Sequence, residues 1–291
     1  MDPGGQRATG RLLMRYDDVT QDGRVRLETL TVSLGVIWRQ LLVSSEIREG
    51  LLAQGIIPIL TRFQLEGTPG PFAIDPPLEV HGGYALTHAA DENGTVTRLM
   101  LDMDAEVWGP KGRTNLPPPD DAGTRAFAGR LRAEHVFTRP FASPADRKVL
   151  AIEIGGKPLD PGARRAWMPA TSALVPPKTA RALEPELTLD PTTTALGVTH
   201  TDSNQHVNSL VYPRLFEEAA LRRIAALGRS SSVLARTLDI GFRRPSFAGE
   251  NLRVSLQAFE DGARIVCVGA FFGDGESDLT RARAYVQMAF E

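Results

Sequence analysis

The sequence predicts an α+β protein built from two copies of one unit, each a long helix with an antiparallel sheet. Three observations carry this. Each half reads as strand, polar loop, amphipathic helix and then several strand-like runs. The halves overlay at an offset of 182 residues, which sets Gly23-Arg24-Val25 on Gln205-His206-Val207. At that offset Leu30, Leu34, Ile37 and Trp38 fall on Tyr212, Phe216, Ala219 and Ala220, so the apolar helix faces coincide. Self-similarity of this kind marks a duplicated unit. Between the halves, Pro158, Pro161, Pro169, Pro176, Pro177, Pro185 and Pro191 give the composition of a connector. The expected organisation is a first domain over 1–155, a connector over 156–186 and a second domain over 187–291.

The elements follow in order. Residues 1–10 read as a loose tail and 11–16 as a first strand. From Leu27 the apolar positions Leu27, Leu30, Leu34, Ile37, Trp38 and Leu41 recur at helical spacing. Strand patterns follow in IIPILTRFQLE, PPLEVHGGYALTHA and TVTRLMLDMDAEVW, the last two joined by an Asp91–Gly94 turn. Residues 109–126 read as a surface loop and RAEHVFTRPF as a strand. A short helix is expected around Ala180 to Leu183. The second half gives the strand TTTALGVTH, the loop TDSNQHVN and a helix ending near Gly228. It closes with strand patterns beginning at Arg236, Glu250, Ala263 and Arg281, with a Glu260-Asp261-Gly262 turn between the middle two.

Composition narrows the function classes. A net charge of -2 argues against a nucleic-acid binder or a polybasic membrane binder. The single cysteine, Cys267, excludes an intrachain disulfide and a thiolate metal cluster. The start lacks the apolar core of a signal peptide, and no run approaches the roughly 18 apolar residues of a membrane span. A cytoplasmic protein is the expectation. His81, His88 and His135 show no metal spacing and read as satisfied structural histidines. No cofactor is implied, and no glycine-rich nucleotide loop follows a strand.

The chemistry concentrates in Asp202-Ser203-Asn204-Gln205-His206-Val207-Asn208, just ahead of the second helix. Asp202, Asn204, His206 and Asn208 alternate, and in an extended segment they would face one side. The helix behind them offers backbone N–H groups and a positive dipole end, parts suited to polarising a carbonyl. Asp202 can activate water or attack directly, and His206 can orient it or move a proton. His200 is a weaker addition on the same face. The overlay sets Thr20, Asp22, Arg24 and Arg26 opposite these four residues, which predicts one working site per chain. Six arginines, among them Arg222, Arg223, Arg243 and Arg244, stand against one acid between 222 and 244, and an acidic carrier could dock there.

On these residues the chain resembles the acyl-carrier-protein thioesterases of plants and bacteria, which are fused double hotdogs. The family's second repeat carries Asp-x-Asn-x-His-x-Asn before its helix, matched here at Asp202, Asn204, His206 and Asn208 and continued by Tyr212 and Glu217. Glu28-Thr29-Leu30 and Leu60-Thr61-Arg62-Phe63-Gln64 resemble the first repeat. The resemblance implies a tandem double hotdog, each unit a long central helix wrapped by a curved antiparallel sheet. It implies Asp202, Asn204 and His206 as catalytic residues, with Asn208, Tyr212, Glu217 and Ser246 at the substrate. One departure stands out. Plant-type members follow an Arg-Arg pair with an acid and a cysteine, where this chain has Pro245-Ser246 after Arg243-Arg244.

Three readings remain open. One is hydrolysis of an acyl thioester on acyl carrier protein or coenzyme A, in fatty acid, lipid or polyketide and natural-product metabolism. A second is a dehydratase, cyclase or acyltransferase acting on a carrier-bound intermediate. A third is a non-enzymatic acyl-thioester binding protein. A fused pair can stand alone as a pseudo-dimer, so the expected assembly is a monomer or a homodimer.

Overall fold

The computed structural model describes residues 6–42, 46–114 and 116–291. Residues 1–5 of the expected tail and Asn115 of the expected loop lie outside them. The backbone separates into two compact units, one running up to Thr61 and over Gly67–Met168, the other comprising Arg62–Glu66 and Pro169–Glu291. The proline-rich segment is thus divided between them at Met168.

The first unit contains β1 (Gln6–Leu12), α1 (Leu27–Leu30), α2 (Val32–Leu41), α3 (Glu46–Ala53), both ends of β2 (Ile57–Gly67), β3 (Leu78–Ala90), β4 (Val96–Pro110) and β5 (Arg125–Thr138); Arg62–Glu66 of β2 count with the second unit. Short strands β6 (Glu153–Ile154), β7 (Lys157–Pro158) and β8 (Ala163–Arg164) follow. The main strands run β1-β3-β4-β5-β2, with β8 parallel to β3. The first strand therefore begins at Gln6, not at Arg11. The Asp91–Gly94 turn forms as read: the Asp91 side chain accepts the N–H of Asn93 and Thr95, and Gly94 takes a left-handed φ of 82°.

The long helix expected in this unit is instead a series of short ones. Hydroxyl side chains account for the break between α1 and α2. Thr31 Oγ1 donates to the Glu28 carbonyl at 2.6 Å and Ser33 Oγ to the Leu30 carbonyl at 2.5 Å. Side chains that take helix carbonyls compete with the regular ladder. The Leu34 N–H reaches Thr31, a tighter i to i+3 bond. Helix α2 still packs on β1, β3 and β4 with Ile37 fully buried, and Leu30 of α1 is fully buried beside it.

The second unit contains β9 (Arg181–Ala182), β10 (Thr188–Ala195), α4 (Val211–Ala226), β11 (Ala235–Phe242), β12 (Asn251–Asp261), β13 (Arg264–Gly273) and β14 (Ala284–Phe290). Its order, β10-β12-β13-β14-β11, matches strand for strand the order of the first unit. The duplication read from the helices thus extends to the sheet. The helix expected near residues 180–183 is instead β9, paired with β12 at Phe259 and Glu260; the helical turn of this segment falls earlier, at Ala170–Leu174.

Burial explains the strand patterns. In β12 the apolar residues alternate, with Leu252, Val254, Leu256 and Ala258 buried. In β13 every residue from Val266 to Gly273 is buried, because both faces are covered. The turn at Ala170–Leu174 packs Ala173 against Ala270, Phe272, Ala282 and Tyr285. Helix α4 brings Phe216 to Phe271, with ring centroids 6.2 Å apart. Gly269 permits this approach, since a Cβ there would sit 2.8 Å from the Phe216 ring. Tyr212, Phe216, Ala219, Ala220 and Ile224 form the buried stripe of α4.

Candidate active site

The candidate site is a tight turn, not an extended segment. A single 3₁₀ turn, Val198–His200, leads in. Thr201 then bridges Val207 antiparallel, the Asp202 N–H bonds the His206 carbonyl at 3.2 Å, and the Gln205 N–H bonds the Asp202 carbonyl at 3.0 Å. Gln205 sits in the left-handed region at φ 64°. The expected alternation of 202, 204, 206 and 208 along one face is therefore lost, because a hairpin turn reverses the chain between 202 and 206.

The first unit carries the same loop at the same offset of 182. Tyr16–Asp18 is a 3₁₀ turn, Val19 bridges Val25, Thr20 N–H bonds the Arg24 carbonyl and Gly23 N–H bonds the Thr20 carbonyl. Gly23 is left-handed at φ 84°. Even the closing bond recurs, Arg26 N–H to Asp18 carbonyl and Asn208 N–H to His200 carbonyl, both 2.9 Å.

The side chains differ. Asp202 caps its own turn, Oδ1 accepting the Asn204 N–H at 2.8 Å, and Oδ2 has Asn208 Nδ2 at 3.4 Å. Among the described residues it pairs with no cation. Asn208 Oδ1 accepts the Leu210 N–H at 2.8 Å, which fixes the entry to α4. His206 Nδ1 lies 3.3 Å from the Val207 carbonyl. A carbonyl only accepts, so Nδ1 carries the hydrogen and Nε2 keeps its lone pair. His200 takes the opposite tautomer: its Nδ1 accepts the Gly197 N–H at 2.9 Å. Among the described residues no hydrogen bond joins the Asp202 side chain to the His206 ring.

In the first loop the carboxylate belongs to Asp22, and it is occupied. It accepts from Thr20 Oγ1 at 2.6 Å and the Arg24 N–H at 3.1 Å, and pairs with Arg24 Nε at 3.0 Å. Burial alone would raise its pKa; these donors outweigh burial and hold it below the usual carboxylate range. A cleft of about 210 Å³ opens here, with Tyr16, Asp22, Phe72, Ile74 and Arg113 among its walls.

Behind the second loop lies Ser246. Its carbonyl accepts the Val207 N–H at 2.8 Å, and its hydroxyl receives the Tyr212 hydroxyl at 3.1 Å. Both side chains are buried, so they brace the loop from inside. Burial pushes the Tyr212 phenol up, partly opposed by the Ser246 bond and by Arg283. Glu217 is half-buried on α4. The N–H groups of Leu210 and Val211 are taken by Asn208, and Pro213 has none, so the free first-turn donors expected from the sequence are largely spent. The dipole end of α4 remains near the loop.

The basic stretch also resolves into separate roles. Arg222 pairs with buried Asp190 at 2.8 Å, Arg223 with Glu184 at 2.5 Å, and Arg244 lies 3.6 Å from Glu276. Arg243 is exposed, and among the described residues it has no ion pair. Cys267 is fully buried, and burial pushes its thiol up to about 12, the wrong direction for a nucleophile. Among the described residues no cluster of His, Cys, Asp or Glu is arranged to hold a metal, and no helix is long and apolar enough to cross a membrane.

No family model matches the chain, and no curated protein matches it. Solved structures do. An acyl-ACP thioesterase from Bacteroides thetaiotaomicron superposes with a TM-score of 0.58 at 15% identity, covering 98% of each chain. A putative oleoyl thioesterase from Lactobacillus plantarum gives 0.61 at 12% identity, covering 100% of this chain and 97% of that one. The 12:0-ACP thioesterase from Umbellularia californica gives 0.58 at 14%, covering 99% and 97%. Over almost its whole length, the chain shares the fold of these thioesterases.

Proposed function

We propose that the chain is an acyl thioesterase built as a tandem double hotdog, and that its working site is the loop at Asp202, Asn204 and His206. One observation carries this most: of two loops with the same backbone, only the second keeps a carboxylate without a cation beside a histidine with a free Nε2. The likeness in fold to three thioesterases supports the substrate class. The substrate is an acyl thioester on acyl carrier protein or coenzyme A. Asp202 takes a proton from water as a general base, and the His206 Nε2 lone pair relays that proton to the departing thiolate, which leaves as a thiol. The water oxygen bonds to the carbonyl carbon, and the carbon–sulfur bond breaks. The α4 dipole favours negative charge on the carbonyl oxygen as it builds. Asn208 holds Asp202 and the helix entry together. Tyr212 and Ser246 act as positioning residues, and Glu217 lies about one turn beyond Pro213 on α4.

The test is thiol release from a panel of acyl-carrier-protein and acyl-coenzyme A thioesters, with Asp202→Ala and His206→Ala alongside. Release by wild type that Asp202→Ala abolishes supports the reading. No release from folded protein on any member of the panel rejects hydrolysis.

A second reading keeps the site and changes the reaction to dehydration, cyclisation or acyl transfer on a carrier-bound intermediate. Pro245-Ser246 in place of an acid-cysteine pair favours it, because Ser246 is buried against Tyr212 and supplies no second reacting group.

A further inference from the structure

The two loops share their bridge, their cross-turn backbone bonds and their closing bond, yet differ at the residue whose φ is positive. The first loop uses Gly23, the residue that takes this conformation freely. The second uses Gln205. A non-glycine residue here is strained, and strain of this kind collects at functional sites. The chain itself shows that glycine fits this backbone, so the backbone does not explain the glutamine. The fold does not use its side chain either. Gln205 is exposed, and among the described residues its carboxamide makes no hydrogen bond. It stands between Asn204 and His206, at the tip of the candidate site.

We propose that Gln205 is a specificity-determining residue, whose carboxamide pairs with an amide of the arm that carries the thioester. A carboxamide offers both donors and an acceptor, which complements a secondary amide. Pantetheine arms, on a carrier protein or on coenzyme A, place such an amide two carbons from the sulfur. The proposal rests on the thioesterase reading and adds to it what the site recognises beyond the acyl group.

The test compares wild type, Gln205→Gly and Gln205→Asn on two thioesters of one acyl chain. One is the N-acetylcysteamine thioester, which has the amide; the other is the ethanethiol thioester, which lacks it. Gln205→Gly should lower kcat/KM about tenfold on the amide-bearing substrate and leave the other unchanged, with no loss of thermal stability. Gln205→Asn, which tolerates the left-handed conformation but has a shorter reach, should fall between. Equal kcat/KM for Gln205→Gly and wild type on both substrates overturns the proposal while leaving the thioesterase reading intact. An equal loss on both substrates also overturns it, because that marks a structural role. Absence of turnover by wild type removes the thioesterase reading and this inference with it.

Discussion

The loops at 18–26 and 200–208 are two answers to one backbone. Both have the 3₁₀ entry, the isolated bridge, the same cross-turn bonds and the left-handed residue. What separates them is where the charge goes. In the first, Arg24 and Thr20 bind the Asp22 carboxylate and satisfy it internally. In the second, Asp202 is held by amides alone, and a histidine stands where Arg24 does. A duplicated scaffold can keep its backbone while its carboxylate moves: Asp22 stands where the second loop has Asn204, and it carries a counter-ion there. Space and chemistry have also parted, since the described cleft opens at the first loop.

The largest effect should come from the carboxylates. Asp202→Asn keeps the oxygen that caps the Asn204 N–H and removes the base. Turnover should fall by roughly 10²–10⁴-fold, the usual worth of a general base, with little change in thermal stability. Asp22→Asn should leave turnover within about twofold while losing part of its Arg24 pair. Steady-state kinetics on one acyl thioester checks both. If Asp22→Asn abolishes turnover and Asp202→Asn does not, the assignment of the working loop is reversed.

Next come the helices behind the loops. Phe216 is fully buried against Phe271, and Phe216→Ala should cost about 3–5 kcal/mol. Ile37, its counterpart in role on α2, should cost only about 0.5–1.5 kcal/mol as Ile37→Val. Hydrogen exchange should show faster opening of α4 amides in the first variant and of α2 amides in the second. A loss of protection spread evenly over both units in either case would mean that they unfold as one.

Much of this was legible in the sequence, for identifiable reasons. The α4 stripe and the alternation in β12 follow from apolar spacing, which burial dictates directly. The repeat was visible because the loop overlay needs no gap, and the backbone bonds recur at that same offset. The broken first helix was harder, because Thr31 and Ser33 look like ordinary helix residues until their hydroxyls take carbonyls. The strand pair at Arg181–Ala182 depends on a distant partner, β12, which no local pattern announces. At the site, the residue types were readable but their directions were not. Alternation was assumed, and a turn closed by Thr201 and Val207 removed it. The signal that could have shown this was Gly23 beneath Gln205, a glycine marking a left-handed position.

Histidine gives the third contrast. His206 keeps a usable ring nitrogen, whereas His135 on β5 has Nδ1 buried with no hydrogen-bond partner, against the expectation of a satisfied structural residue. Burial lowers its pKa to about 4, against the Leu101 backbone bond and Asp102, which raise it. Between about 6.5 and 4 the unfolded chain therefore binds a proton that the native state refuses. Stability from this group is complete above about 6.5 and declines as pH falls toward 4, by on the order of 3 kcal/mol in total. Urea titrations at pH 7 and pH 4.5 on wild type and His135→Gln should show a smaller acid loss in the variant. An identical loss in both would assign the acid sensitivity to other groups.

The smallest effect should come from the brace behind the second loop. Ser246→Ala removes the acceptor of the Tyr212 hydroxyl and keeps the backbone carbonyl that holds Val207. The buried phenol then lacks its partner, at a cost of about 1–3 kcal/mol. If Ser246 only positions the loop, kcat should fall severalfold with KM nearly unchanged, and Ser246→Thr should restore part of it by returning a hydroxyl. If Ser246 touches substrate, KM should rise in Ser246→Ala and Ser246→Thr should not rescue it. The first loop is tied from behind at another point: the Phe72 N–H donates to the Gly23 carbonyl at 2.8 Å, where the second loop uses Val207 N–H to the Ser246 carbonyl. Both loops are thus held by the chain segment behind them, and what the second adds is a hydroxyl pair, Tyr212 to Ser246, whose loss Ser246→Ala isolates from the backbone tie.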